Sequence, residues 1–487
     1  MKILFSSSEL APLAQSGGLG DAVSGLARAL GAVGHEVIVV VPGYRSALRS
    51  PACPRLVDRG PLRVHCRTPV GGAFKVDGRL LSGRLFPGVE IVLVDMPGLY
   101  DRPGLYGEHG RDYVDNALRF IAFARVTAYL AESRQPDVVV AHDWHAGLAI
   151  AALTTSLLRG RNRGIATVQV VHNNAHQGRF PASNMSLTGL ADDLFHPDGV
   201  ESWGELNLLK GGVAFADRVV AVSPTYAREI TTSEFGEGLD GLYRDRSHRL
   251  TGIVNGIDTA RFDPSNDGSL SSSFSARDPA GKHACRAGLL REVGLATPAP
   301  GRFVAAVGRL AAQKGWDVLI DAIDGLLTQG CSLALLGDGD ATLAHALHEK
   351  ARAHPDRIWF HAGFNEPLSR RVYAGADVVL LPSRFEPCGL AQLIAQRYGA
   401  IPVAHATGGL VDTIVDLADS AGTGVLFSPL SAQGLVDGVA RVAALADAGQ
   451  LPAIQRRLMS LDVSWDAPAQ TWTRLLQDVV TEARLRR

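Results

Sequence analysis

Short apolar runs alternate along nearly the whole chain with longer stretches whose apolar positions recur at helical spacing. Short runs bounded by polar clusters read as buried strands, and the three-to-four spacing reads as helix. The first half predicts strands over 2–6, 36–41, 137–141, 165–171, 218–222 and 251–254, with helices over 22–34, 111–133 and 146–158. In 22–34, Val23, Leu26, Ala27 and Leu30 share a face, and 111–133 reads as a long amphipathic helix. Residues 62–95 hold apolar runs separated by glycine-rich turns, which predict strands in an antiparallel excursion. The rhythm restarts with strands over 303–307, 332–336, 358–361, 378–381 and 401–405, helices over 316–328 and 390–399, and a terminal helix over 465–487. Strands separated by helices mean parallel sheets, so the chain predicts two doubly wound α/β lobes with a cleft between them.

Polar clusters repeatedly end these strands. His142-Asp143-Trp144-His145, His172-Asn173-Asn174 and Ser223-Pro224-Thr225 do so in the first half, and a glycine-rich turn, Gln15 to Asp21, follows the opening strand. In open α/β sheets ligands bind at this carboxyl edge. The stretch 382–412 carries two such turns in succession: Glu386 is a lone acid in the first, and Thr407-Gly408-Gly409 opens a helix in the second, where bare backbone N–H groups suit phosphate. Arg309 and Lys314 lie across another turn of the same half, and a guanidinium beside an ammonium makes a diphosphate clamp. Asp340, in Gly337-Asp338-Gly339-Asp340, reads as a helix N-cap rather than a metal ligand, and no metal or other cofactor is expected. The polar stretch 263–282 predicts a flexible surface segment near a domain junction.

Composition narrows the class. The 487 residues allow two to four domains. A formal net charge of −1 offers no basic field for nucleic acid or an anionic membrane. No apolar run approaches the ~20 residues of a membrane helix. The five cysteines are scattered without metal-site spacing, which predicts reduced thiols in a cytoplasm. Walker, nucleophile-elbow and kinase signatures are absent. A diphosphate clamp without hydrolase machinery suits a reaction in which diphosphate leaves.

Taken together and in order, the motifs resemble those of bacterial glycogen synthases and plant starch synthases, over essentially the whole length. They are Gln15-Ser16-Gly17-Gly18-Leu19, Tyr100-Asp101-Arg102-Pro103-Gly104, His142-Asp143-Trp144-His145, His172-Asn173, Asn255-Gly256-Ile257-Asp258, Gly308-Arg309-Leu310, Gln313-Lys314-Gly315, the run from Ser383 to Leu390, and Thr407-Gly408-Gly409-Leu410. The resemblance implies a GT-B fold, with two Rossmann-like domains over 1–256 and 257–461 and a segment, 462–487, crossing back to the first. It implies transfer of glucose from ADP-glucose to the non-reducing 4-hydroxyl of glycogen or another α-1,4-glucan, with retention. Glu386, His172, Asp143, Arg309 and Lys314 would form the catalytic set. Gln15, Gly17, Gly18, Asn255, Cys388, Gly389, Leu390, Thr407, Gly408 and Gly409 would join Arg309 and Lys314 around the donor, and Tyr100, Asp143 and Trp144 would face the acceptor. A related transferase with another sugar nucleotide or a small acceptor, and a catalytically silent glucan-binding homologue, are the alternatives. One departure stands out: the family carries lysine where this chain has Gln15. Donor affinity is then lower, the donor differs, or another cation such as His176 or Arg179 compensates.

Overall fold

A computed structural model describes residues 1–68, 71–108, 110–158 and 164–485. The chain divides into two compact units, Met1–Asn255 with Trp465–Arg487, and Gly256–Ser464.

Unit 1 is built on a nine-stranded sheet. Its strands are β1 (Lys2–Ser6), β2 (Glu36–Pro42), β3 (Val57–Arg67), β4 (Ala73–Phe86), β5 (Val89–Asp95), β6 (Val138–His142), β7 (Ala166–Val171), β11 (Arg218–Ala221) and β12 (Leu250–Gly252), in the spatial order β12-β11-β7-β6-β1-β2-β5-β4-β3. Between β7 and β11 the chain forms a separate three-stranded sheet of β8 (Arg179–Pro181), β9 (Glu201–Ser202) and β10 (Glu205–Asn207). The central strands are parallel and buried on both faces, which is why 2–6 and 36–41 read as unbroken apolar runs. Strands β3 and β4 pair antiparallel at one edge, as the glycine-punctuated pattern over 62–95 predicts; residues 69–70 of that stretch lie outside the described residues.

Two helix expectations need correction. Helix α1 spans Gly18–Ala32 rather than 22–34, because the glycine-rich turn itself winds into its first turn. Helix α2 spans Asn116–Arg134 rather than 111–133: Arg111–Asp112 instead pairs antiparallel with Gly107–Glu108. It is not amphipathic in packing either, since Asn116, Arg119 and Thr127 are buried along with its apolar residues. Helix α3 (Asp143–Leu158) and helix α4 (Leu208–Phe215) pack against each other beside the sheet.

Unit 2 is an all-parallel six-stranded sheet of β13 (Phe303–Leu310), β14 (Ser332–Gly339), β15 (Ile358–Ala362), β16 (Val378–Leu381), β17 (Ile401–His405) and β18 (Val425–Phe427), in the order β15-β14-β13-β16-β17-β18. Side chains alternate between two cores, with Phe303 and Ala305 on one face and Val304 and Ala306 on the other, so helices cover both faces. Helix α5 (Trp316–Thr328) follows β13, and α6 (Ala391–Arg397) and α7 (Gly408–Thr413) follow β16 and β17. The stretch 263–282 is an ordered packing segment, not a flexible one. Phe274 is buried, Tyr398 Oη donates to Asp267 Oδ2 at 2.6 Å, and Lys282 Nζ donates to the carbonyls of Ala374, Ala376 and Tyr398. Its Asp and Ser residues close local turns on their own backbone, which is why polar composition here does not mean mobility.

The terminal helix α8 (Asp466–Leu485) lies against α1 and β7; residues 486–487 are outside the described set. A Cβ on Gly25 would lie 2.0 Å from Trp465 Nε1, so α1 offers a notch for that indole. His35 Nε2 meets Thr473 Oγ1 at 3.1 Å, and Arg484 donates to Asp137 at 2.6 Å.

Candidate active site

In unit 2 the expected clamp residues converge at the carboxyl edge. Strand β13 runs on through Gly308 and Arg309 to Leu310, so Arg309 sits on the strand end rather than in the turn. It is exposed, and its guanidinium makes no hydrogen bond or ion pair among the described residues. A single 3-10 turn (Ala312–Lys314) then brings the chain to Gly315, which adopts a φ of +66°. A Cβ at this position would lie 1.9 Å from Pro382 O, so only glycine fits. This close crossing carries Lys314 to Glu386. Lys314 Nζ donates to Glu386 Oε2 at 2.5 Å, and Ser383 Oγ donates to the same oxygen at 3.0 Å. Glu386 is buried, with its lysine partly open to solvent.

The second turn locks onto the first. Gly409 N–H donates to Glu386 O at 2.9 Å, and a Cβ on Gly409 would lie 2.3 Å from Cys388 O. Leu410 N–H closes on Thr407 O. The Gly409 amide therefore joins the two turns, and that of Leu410 closes the second turn on itself. Cys388 is buried, while Gly389, at φ +78°, and Leu390 lead into α6. Asp340 caps its helix through Thr342 N and Leu343 N.

In unit 1 a second polar set lies at the sheet's carboxyl edge. Asp143 starts α3 in a left-handed conformation, φ +55°, which a short polar side chain tolerates better than most. Its Oδ1 accepts from His172 N at 2.7 Å and from Asn173 N at 3.4 Å. Burial nevertheless raises its pKa to about 7, against those bonds and with help from the Glu9 charge. Burial likewise pushes His172 down to about 3, and His142 well below its ordinary value. Both are neutral imidazoles, with His142 Nδ1 and His172 Nε2 3.0 Å apart. His142 Nε2 is buried without a partner among the described residues. An orphaned lone pair costs less than an orphaned N–H, so His142 donates from Nδ1 and His172 keeps its proton on Nδ1.

Sequence reasoning missed Glu9. It is buried, and its carboxylate accepts from Ser16 Oγ (2.6 Å), Ser16 N (2.8 Å), Gly17 N (3.3 Å) and Tyr106 Oη (2.7 Å). An internal anion thus holds the glycine turn, and Gly17 N–H is engaged by it. Tyr106 in turn stacks on His145, which stacks on Trp144. The signal was available: Ser7-Ser8-Glu9 is a polar cluster directly after β1, at the same edge as the others. Gln15 Nε2 donates to Asp21 Oδ2 at 2.5 Å and to Gly17 O at 3.2 Å, and Gly18 begins α1. Arg179 pairs with Glu205 at 2.8 Å, across the small three-stranded sheet. Asn255 is half-buried at the end of unit 1. Tyr100 is a correction: it is fully buried and donates to Arg119 O at 2.7 Å, so it supports the fold and offers no face to an acceptor.

Residues 2–245 match the family model described as starch synthase catalytic domain, and residues 301–444 match that of glycosyl transferases group 1. The catalytic domain of starch synthase IV from Arabidopsis thaliana, bound to ADP and acarbose, superposes with a TM-score of 0.88 at 30% identity, covering 99% of both chains. Sucrose-phosphate synthase from Thermosynechococcus elongatus shares the fold, with a TM-score of 0.61 at 17% identity over 99% of both chains. The two α/β units, the two family matches and the shared fold define a glycosyltransferase of the GT-B fold. Glycogen synthase from Acidiphilium cryptum is 41% identical over 99% of this chain and 100% of its own, and that from Myxococcus xanthus is 40% identical over 99% and 100%. The chain belongs to the glycogen synthase family.

Among the described residues no helix is long and apolar enough to cross a membrane, and no group of three His, Cys, Asp or Glu residues could hold a metal ion.

Proposed function

We propose that this enzyme transfers glucose from ADP-glucose to the non-reducing 4-hydroxyl of an α-1,4-glucan such as glycogen, with retention of configuration, in the cytoplasm. The observation that carries the reading is the unit 2 edge, where Arg309, unpaired among the described residues, stands one turn from the Lys314–Glu386 pair. An available guanidinium and a lysine suit a diphosphate leaving group, and a buried carboxylate beside them suits sugar hydroxyls. The ADP held by the Arabidopsis relative supports the choice of nucleotide.

In this reading Arg309 and Lys314 neutralise charge as it develops on the departing diphosphate. Lys314 exchanges its bond to Glu386 for one to phosphate, and Glu386 is released to hold the donor glucose. Asp143 and His172 line the sugar site on unit 1, Asn255 faces the donor, and Trp144 faces the acceptor. The glycine turn held by Glu9 contributes Gly18 and the N-terminus of α1 to the donor. The side-chain partners of Glu386 are Lys314 and Ser383, which suits a carboxylate that holds sugar hydroxyls better than one of a pair of acids forming and hydrolysing a covalent intermediate. Front-face attack, with the leaving phosphate taking the acceptor proton, fits better.

A panel of ADP-glucose and UDP-glucose against glycogen, maltotriose and glucose tests the reading. Nucleotide release should require ADP-glucose and a glucan. Activity with a monosaccharide acceptor alone would overturn it.

A further inference from the structure

The tip of the β9–β10 hairpin is Trp203-Gly204, with φ of +55° and +80°. Two successive left-handed residues make the tight hairpin turn that favours Asn-Gly, and a bulky L-residue in its first position is disfavoured. Burial does not offset this, because Trp203 is 79% exposed. The turn is held by other groups: Gly204 N donates to Glu201 Oε1 at 2.6 Å, and Glu205 pairs with Arg179 on β8. The hairpin therefore closes without help from the indole.

The indole is nonetheless placed. A Cβ on Gly238 would lie 3.2 Å from Trp203 Nε1, so that loop abuts the edge of the ring. On the inward side, Phe180 of β8 pairs in register with Leu206 of β10, and its ring lies 5.9 Å from Trp144. The small sheet therefore connects Trp144, at the start of α3, to the hairpin that carries Trp203. We propose that Trp203 is an outer binding platform for an α-1,4-glucan chain, continuous with the acceptor side at Trp144. Pyranose rings lay their C–H faces on indoles while neighbouring charged groups take the hydroxyls, and the Arg179–Glu205 pair lies on the same small sheet. A single aromatic among polar residues is too small for a protein interface, and Glu201, Glu205 and Glu237 around it disfavour an anionic membrane. The proposal rests on the glucan reading above.

The test uses the full chain and three variants, Trp203→Asn, Trp203→Ala and Trp203→Tyr. Native gels containing glycogen read binding without donor, and kinetics read KM for glycogen against maltotriose. Trp203→Asn should keep or raise the melting temperature, lose much of its glycogen retardation and raise the glycogen KM about three- to tenfold, the size of one aromatic contact. Its kcat and its KM for maltotriose should not move, Trp203→Ala should bind as weakly, and Trp203→Tyr should recover most of the retardation. Unchanged retardation and KM in an active enzyme overturn the site and leave the function standing. A lowered melting temperature in Trp203→Asn overturns it too, since the ring would then be packing. Tryptophan-dependent retardation in a chain that transfers no glucose would sink the function and keep the site.

Discussion

Asp143→Asn separates stability from activity. The carboxyl is buried, and its pKa rises from 3.8 to about 7 on folding. A raised carboxyl pKa means that the folded state binds the proton more tightly than the unfolded state. Below pH 3.8 both states are protonated and folding loses nothing. Between 3.8 and 7 stability falls as pH rises, and above 7 the whole penalty of the buried charge is present. At about 1.4 kcal/mol per pH unit that penalty is on the order of 4 kcal/mol above pH 7 and about 1–2 kcal/mol at pH 5. Asparagine keeps an oxygen for His172 N, tolerates the left-handed backbone and carries no charge. Relative to wild type, the variant should therefore gain about 2–3 kcal/mol of stability between pH 5 and pH 8. Urea unfolding at the two pH values measures this, and the difference cancels any pH-independent effect of the substitution. Turnover should fall about 10²-fold or more, the scale of losing a preorganised group at a reacting centre. A stability difference that is the same at pH 5 and pH 8 would refute the assignment of a buried, proton-binding carboxyl to Asp143.

Three further substitutions probe the site. Arg309→Ala should lower kcat/KM about 10²-fold while stability stays within about 0.5 kcal/mol, because the exposed guanidinium has no partner among the described residues to lose. Glu9→Gln turns an amide N–H toward a ring of donors, so the glycine turn should loosen and the donor KM rise, with the glycogen KM unchanged; an unaltered donor KM would show that the turn does not meet the donor. Gln15→Lys places an ammonium beside Asp21 and should lower the donor KM, and no change would mean that the cation is not missed at this position.

The alternation of apolar runs made the two sheets legible, down to the limits of β1, β16 and β17. What it could not supply was which polar groups satisfy one another. Arg309 and Lys314 looked like equals across a turn, yet among the described residues one is unpaired and the other is bound to Glu386. That contact spans 72 residues and depends on the close crossing at Gly315. Thr407-Gly408-Gly409 looked like an open anion seat, and only the packing of Gly409 against Cys388 shows where its amide goes. Tyr100 carried a motif but no sign of its burial, which follows from Arg119 lying beneath it in α2. Glu9 was overlooked because several of its partners are backbone groups, which leave no mark on composition.

The most direct test of the central claim is proton NMR of maltotetraose incubated with ADP-glucose and the enzyme. The expected result is a new α-1,4 anomeric signal growing in step with ADP release, at the non-reducing end. A β-linked product, or ADP released as free glucose accumulates without chain extension, would contradict it.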